Sequence, residues 1–357
     1  MTDSVSLSVL DLVPVRTDQT TADALAATRS LARIADAAGL VRYWVAEHHN
    51  MPSVASTSPA VLIGMLAAAT SRIRLGSGGV MLPNHAPFVI AEQFALLEAA
   101  YPGRIDLGIG RAPGSDPATG YALRHGSGIT DAEVSRFPQN VEELIGMMQP
   151  GGVSLRLGER QFPLAATPKA SSAPMVWLLG SSMFAAELAA RDGLPYVFAN
   201  HFAGDGTGEA IRLYRSQFTP SEFLDAPKTF LTLNAVVAET AEEARRLAAP
   251  QLLTMMRLRS GQPLGAQPSV EEAEADIAQL AVGQRQFMDA MAERWIIDTP
   301  DAAAARIRTM AADFDVDEVM VNPSSGEFAG TPADQSPARE NTLRLLAGAL
   351  ALESVRA

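Results

Sequence analysis

The chain contains no cysteine in 357 residues. Disulfides, thiolate nucleophiles and thiolate metal sites are therefore excluded. Lysine is nearly as scarce: only Lys169 and Lys228 stand beside 26 arginines. The net charge is −12, with no cluster of Lys or Arg, which argues against nucleic acid or an anionic membrane surface as the main partner. No stretch reaches the roughly 18 uninterrupted apolar residues of a membrane span. The opening "MTDSVSLSVLDLVPV" has neither a basic start nor a long apolar run, so it does not read as a signal peptide. A cytoplasmic protein is the expectation. Histidine is rare too, with five in all, yet two of them are adjacent in "WVAEHHNMP" (44–52).

What is present is apolar. The 47% of hydrophobic residues allows a large core. Short apolar runs alternate with amphipathic stretches. The pattern predicts strands at 5–12, 41–49, 73–82 and 104–111, separated by helices at 21–39, 58–70 and 85–101. Thr21 is the expected cap of the first helix, and Pro87 sits in the first turn of the third. After Arg111 comes a Gly/Pro/Ser-rich loop at 112–128, then a helix at about 130–148 and a small hairpin at 151–162. Further strands are expected at 174–180, 195–200, 229–239 and 316–323. Residues 240–294 read as a mostly helical, acidic insertion that could cover a site. Eight strands with intervening helices predict an α/β fold, a (β/α)8 TIM barrel with insertions after strands 4 and 7, in one domain over 1–357. An open doubly wound sheet fits less well, because "LDLVPV" lacks the Gly-rich turn of a dinucleotide site.

In a barrel, chemistry gathers at the C-terminal ends of the strands. Glu47, His48 and His49 fall at one such end. A histidine there suits acid–base work near neutral pH, and a loop-start pair bonding backbone is an equal alternative. A metal site would need further ligands, such as His201 or Asp11. Gly76, Gly78 and Gly79 interrupt a strand, which marks either a bulge or close backbone approach by a ligand. Arg111, just past the fourth strand, suits a phosphate or an inter-loop ion pair. Gly180, Ser181 and Ser182 stand between a strand and a helix, where they either cap the helix or receive an anion. Arg111 and this helix start make one anion site only if their loops are neighbours.

Together, "AEHHN", "GSGGVMLPNHAPFVIAEQFALLEAAYPGRIDLGIGRAPG" and "WLLGSS" resemble the bacterial luciferase-like flavin monooxygenases. The similarity runs in order over nearly the whole chain and is densest from Ser8 to Arg124. The resemblance implies a TIM-barrel oxidoreductase that takes reduced FMN from a separate flavin reductase. It implies reaction with O2 through a C4a-peroxyflavin to oxygenate a small, apolar organic substrate. It places the catalytic histidine at His48 and a non-prolyl cis peptide under the flavin at Gly78–Gly79. The phosphate falls to Arg111, Gly180, Ser181 and Ser182. Asp11, His49 and His201 fall around the substrate pocket. The Ala-rich helices at 58–70 and 85–101 match the family's homodimer face.

Three other readings remain at this stage. One is an F420-dependent hydride-transfer dehydrogenase on the same fold. Another is a non-catalytic flavin-binding partner subunit. The third is a metal-dependent barrel hydrolase using His48, His49 and His201.

Overall fold

The computed structural model describes residues 5–112, 116–124, 126, 134–202 and 204–350. Its main sheet contains β1 (Ser6–Asp11), β2 (Arg42–Val45), β3 (Arg74–Met81), β4 (Ile105–Gly110), β7 (Met175–Gly180), β8 (Tyr196–Phe198), β9 (Leu231–Val237), β10 (Ile296–Asp298) and β11 (Glu318–Pro323). Every pairing in it is parallel, and the order is β10-β9-β11-β1-β2-β3-β4-β7-β8. A bridge from Tyr196 to Thr229 joins β8 to the start of β9, so the sheet curls until its flanks meet. β5 (Val153–Leu157) and β6 (Arg160–Leu164) form a separate antiparallel hairpin.

Local sequence explains the elements. Helix 21–37 starts at Thr20, not at the expected Thr21. The Thr20 hydroxyl accepts from the Asp23 N–H, and Asp23 accepts from the Thr20 N–H, a reciprocal cap that satisfies two otherwise free donors. Proline opens helices 59–67, 87–100, 300–313 and 337–349, where its missing N–H costs nothing. Gly193 ends helix 183–192 at φ 62°, a left-handed conformation that glycine adopts freely.

β10 corrects the expected count of eight strands. It pairs with the end of β9, Ile296 to Ala235 through Asp298 to Val237, while β11 occupies the other edge of β9. Three residues directly after a helix are too few to show an alternating pattern, so the sequence hid this strand. The expected helix at about 130–148 is described as helix 137–148; residues 127–133, like 113–115 and 125 of the 112–128 loop, lie outside the described residues.

The inside of the curl is filled in two layers. Leu10, Trp44, Trp177, Val197, Phe230 and Met320 form a packed plug. Beside it, the buried Arg42 guanidinium bonds Asp106 at 2.8 Å and Glu318 at 2.6 Å, and lies 4.9 Å from the Trp177 ring centroid. Both carboxylates have further donors: Arg74 and Trp44 on Asp106, Ser8 on Glu318. Buried charges are tolerable when paired and hydrogen-bonded in this way. The plug closes the curl at depth and leaves a cavity at the C-terminal ends of the strands.

Candidate active site

That cavity encloses about 850 Å3, within the range of sites that bury a small organic molecule or cofactor. His48, Gly78, Gly79, Arg111, Gly180, Ser181, Ser182 and His201 all line it. They come from the ends of four strands, β2, β3, β4 and β7, and from the segment after β8.

The glycines are required by packing as well as by any ligand. A Cβ on Gly78 would stand 2.9 Å from Leu10 Cδ1. One on Gly79 would stand 2.6 Å from Leu179 Cδ1 and 2.7 Å from the Gly108 carbonyl oxygen. The β3–β4 register slips between Ser77 and Val80, so the strand bulges here, and the Gly78–Gly79 peptide is cis. The bulge and the close-approach readings of this stretch both apply: bare backbone faces the cavity.

β4 and β7 are direct neighbours, with Gly110 opposite Leu179. Arg111 and the Gly180–Ser182 turn therefore share one end of the cavity. Arg111 is not held in an ion pair among the described residues. Its guanidinium instead stacks 4.0 Å from the Phe184 ring centroid. Ser182 occupies the N-cap of helix 183–192, yet its side chain makes no capping bond. Ordinary capping and an inter-loop salt bridge, the two structural alternatives for these residues, are both unrealised. What remains is a cation, two exposed serines and the N–H groups of a helix start, a combination that attracts an anion.

Glu47, His48 and His49 separate into different tasks. The His48 ring lines the cavity, with Nδ1 2.5 Å from the Glu47 carbonyl oxygen. Burial pushes its pKa below the usual histidine range. His49 turns elsewhere: its Nε2 lies 2.8 Å from Glu47 Oε1, the same oxygen that meets His85 Nε2 at 2.8 Å. The second Glu47 oxygen accepts the Met81 N–H at 3.0 Å. Burial alone would raise the Glu47 pKa, but the bonds from His85, His49 and Met81 outweigh it and hold the group ionised. The carboxylate thus ties the loop carrying His48 to the end of β3, just past Gly79.

His201 lines the cavity beside Thr232, its Nδ1 3.0 Å from Thr232 Oγ1. Burial, with His48 nearby, pushes its pKa down to about 4.

Two expected pocket residues are not there. His49 faces Glu47, as above. Asp11 is completely buried, and its carboxylate accepts from the Val13 N–H, Arg339, Thr28 and Tyr43. It reaches the cavity only through Arg339, which does line it. A metal site built on His48, His49 and His201 is not assembled, since each ring is turned to a different partner.

Several lining residues carried no signal in the sequence. Thr232 and Asn234 lie within β9. Gln251, Thr254, Met255, Leu258 and Arg259 come from helix 241–259, and Arg339 comes from the last helix. Helix 241–259, with Gln267 beyond it, is the part of the 240–294 segment that lines the cavity. Arg259 fastens it by bonding the Phe202 carbonyl and stacking on the Phe202 ring.

Known proteins similar to this chain show its family. Residues 5–317 match the model of the luciferase-like monooxygenase family. A luciferase-like monooxygenase of Escherichia coli (strain K12) is 40% identical over 90% of this chain and 92% of its own length. The N-acetyl-S-alkylcysteine monooxygenase of Bacillus subtilis (strain 168) is 37% identical over 76% of this chain and 79% of its own. The crystal structure of apo-MsnO8 superposes with a TM-score of 0.84 at 34% identity, covering 98% of this chain and 99% of that one. The chain belongs to the luciferase-like monooxygenase family.

Proposed function

We propose that this protein is a monooxygenase that uses reduced FMN and O2 to oxygenate a small, largely apolar molecule. The observation that carries the reading is the convergence in one cavity of an arginine with no ion pair among the described residues, a helix start with no side-chain cap and a stretch of bare glycine backbone. These residues fit FMN. Arg111, Ser181, Ser182 and the N-terminus of helix 183–192 would hold the phosphate. Gly78 and Gly79 offer a side-chain-free surface on which a flat ring can lie.

When bound, reduced FMN supplies the two electrons that activate O2. The protein's part is to place the substrate, exclude water and manage one proton. Helix 241–259 roofs the cavity, and the apolar plug of Trp44, Leu10 and Met320 floors it. His48 holds its Nδ1–H on the Glu47 carbonyl, so the neutral ring presents Nε2 as a base to the cavity. Glu47 acts as a positioning residue, because it fixes both the His48 loop and the end of β3.

A separate reductase is the source of reduced flavin in this reading. We assign the architecture as a single (β/α)8 barrel domain, with the β5–β6 hairpin and helices 241–292 as insertions. A homodimer is assigned through helices 59–67 and 87–100, which pack together. They leave Val61 62%, Val89 47% and Leu96 57% exposed, a row of bare apolar side chains that suits an interface. Among the described residues no helix is long and apolar enough to cross a membrane, and a cytoplasmic location is our reading.

The reading is tested by supplying FMN, a flavin reductase, NADH and O2 against a panel of aldehydes, thioethers and aromatics, with mass-spectrometric detection of a gained oxygen. Turnover supported by F420 in place of FMN would favour the hydride-transfer alternative instead.

A further inference from the structure

Hydrogen-bond direction can be traced outward from carbonyl oxygens, because a carbonyl only accepts. The Glu47 carbonyl faces His48 Nδ1, so Nδ1 carries the proton and Nε2 the lone pair. The Thr232 hydroxyl has one hydrogen, which goes to the Phe198 carbonyl at 3.0 Å. His201 Nδ1, at 3.0 Å from Thr232 Oγ1, must therefore donate to it, and His201 likewise keeps its lone pair on Nε2. The His201 carbonyl accepts from Asn234 Nδ2 at 2.7 Å. This fixes the Asn234 amide, whose Oδ1 then accepts from Asn322 Nδ2 at 2.9 Å. Asn322 Oδ1 is left without a protein partner among the described residues.

His48, His201 and Asn322 all line the one cavity. Each presents an acceptor atom to which nothing in the described protein donates. The nearby carboxylates do not change this. Glu47 is saturated by His49, His85 and Met81, and Asp11 by Val13, Arg339, Thr28 and Tyr43. No free negative charge therefore calls for an ammonium group. Arg111 and Ser182, which line the same cavity, are donors suited to an anion.

We propose that His48, His201 and Asn322 form a recognition site for a neutral hydrogen-bond donor on the substrate, namely a phenol- or enol-type hydroxyl. The hydroxyl has one hydrogen to give, and the Nε2 of the neutral His201 ring, oriented by Thr232, is the acceptor that takes it. An ether in the same place gives no hydrogen, so that acceptor too is left unpaired, and buried polar groups left without partners are costly. The proposal rests on the oxygenase reading only in calling the ligand a substrate.

The test is a calorimetric titration of the FMN-free protein at neutral pH with para-ethylphenol and para-ethylanisole. The phenol should bind about tenfold tighter than the ether. In His201→Phe, which keeps the ring and removes the acceptor, the two affinities should come within about twofold. Thr232→Val removes the hydroxyl that fixes the ring tautomer and should narrow the gap as well; this variant decides if His201→Phe does not fold. Equal binding of phenol and ether by the wild type, or a preference unchanged in a folded variant, overturns the proposal. FMN affinity is measured separately. A protein that binds FMN but does not prefer the phenol refutes only this inference, and one that prefers the phenol but ignores FMN refutes only the flavin reading.

Discussion

The Arg111 guanidinium lies 4.0 Å from the centroid of the Phe184 ring, against an aromatic face instead of a carboxylate. Stacking orients the charge without neutralising it. Arg111→Ala should therefore weaken FMN binding by roughly 10- to 100-fold, the range expected for a charge-assisted bond. Phe184→Leu should weaken it by only about threefold. Equilibrium titration with FMN measures both, and an unchanged dissociation constant for Arg111→Ala removes the arginine from the phosphate site.

Ser182 separates capping from ligand binding. A capping serine costs about 1 kcal/mol when replaced by alanine. The Ser182 side chain caps nothing, so Ser182→Ala should leave the urea midpoint within error and lower FMN affinity. A clear loss of stability with FMN binding intact would reverse the assignment.

His48→Ala should retain FMN binding and lose oxygenation by roughly a hundredfold or more, as expected when a general acid–base group is removed. Product yield per FMN consumed is the readout. Wild-type yield from the variant excludes His48 as the proton-handling group.

The depressed His201 pKa also has a stability consequence. The folded state holds the ring neutral down to about pH 4, whereas the unfolded ring takes a proton near pH 6.5. The unfolded chain thus binds more protons in that window, and stability falls as pH drops from about 6.5 towards 4. Glu327 opposes this slope, since burial raises its pKa to about 7. The wild type alone therefore does not isolate His201. Melting temperatures of wild type and His201→Phe, compared at pH 7 and at pH 4.5, should show the variant losing less on acidification. Parallel losses contradict a buried neutral His201.

The dimer assignment predicts that Leu96→Glu yields a monomer, because it places a charge in the exposed apolar row of helices 59–67 and 87–100. Light scattering coupled to size exclusion checks it. A wild type that runs as a monomer refutes the interface.

Much of this site could be read from the chain because its residues cluster at strand ends. Arg111, Gly180–Ser182 and the 76–79 glycines each follow an apolar run, and the parallel order of strands made their loops neighbours. The pairing of Gly110 with Leu179 is the physical form of that expectation. Other parts were invisible for definite reasons. Arg339 lies on a helix hundreds of residues from Asp11, its partner, and nothing local marks either one. Asp11 looked like a pocket residue because strand-end position says nothing about which neighbours consume a carboxylate. His48 and His49 differ by where their rings turn, which the tripeptide does not record.

The most direct test of the central claim uses isotopically heavy dioxygen. The protein is supplied with FMN, a flavin reductase and NADH, and products from the substrate panel are analysed by mass. The account predicts a product containing one heavy oxygen atom, formed only when reduced FMN and dioxygen are both present. A product that gains no heavy oxygen, or turnover that proceeds with F420 under argon, would contradict it.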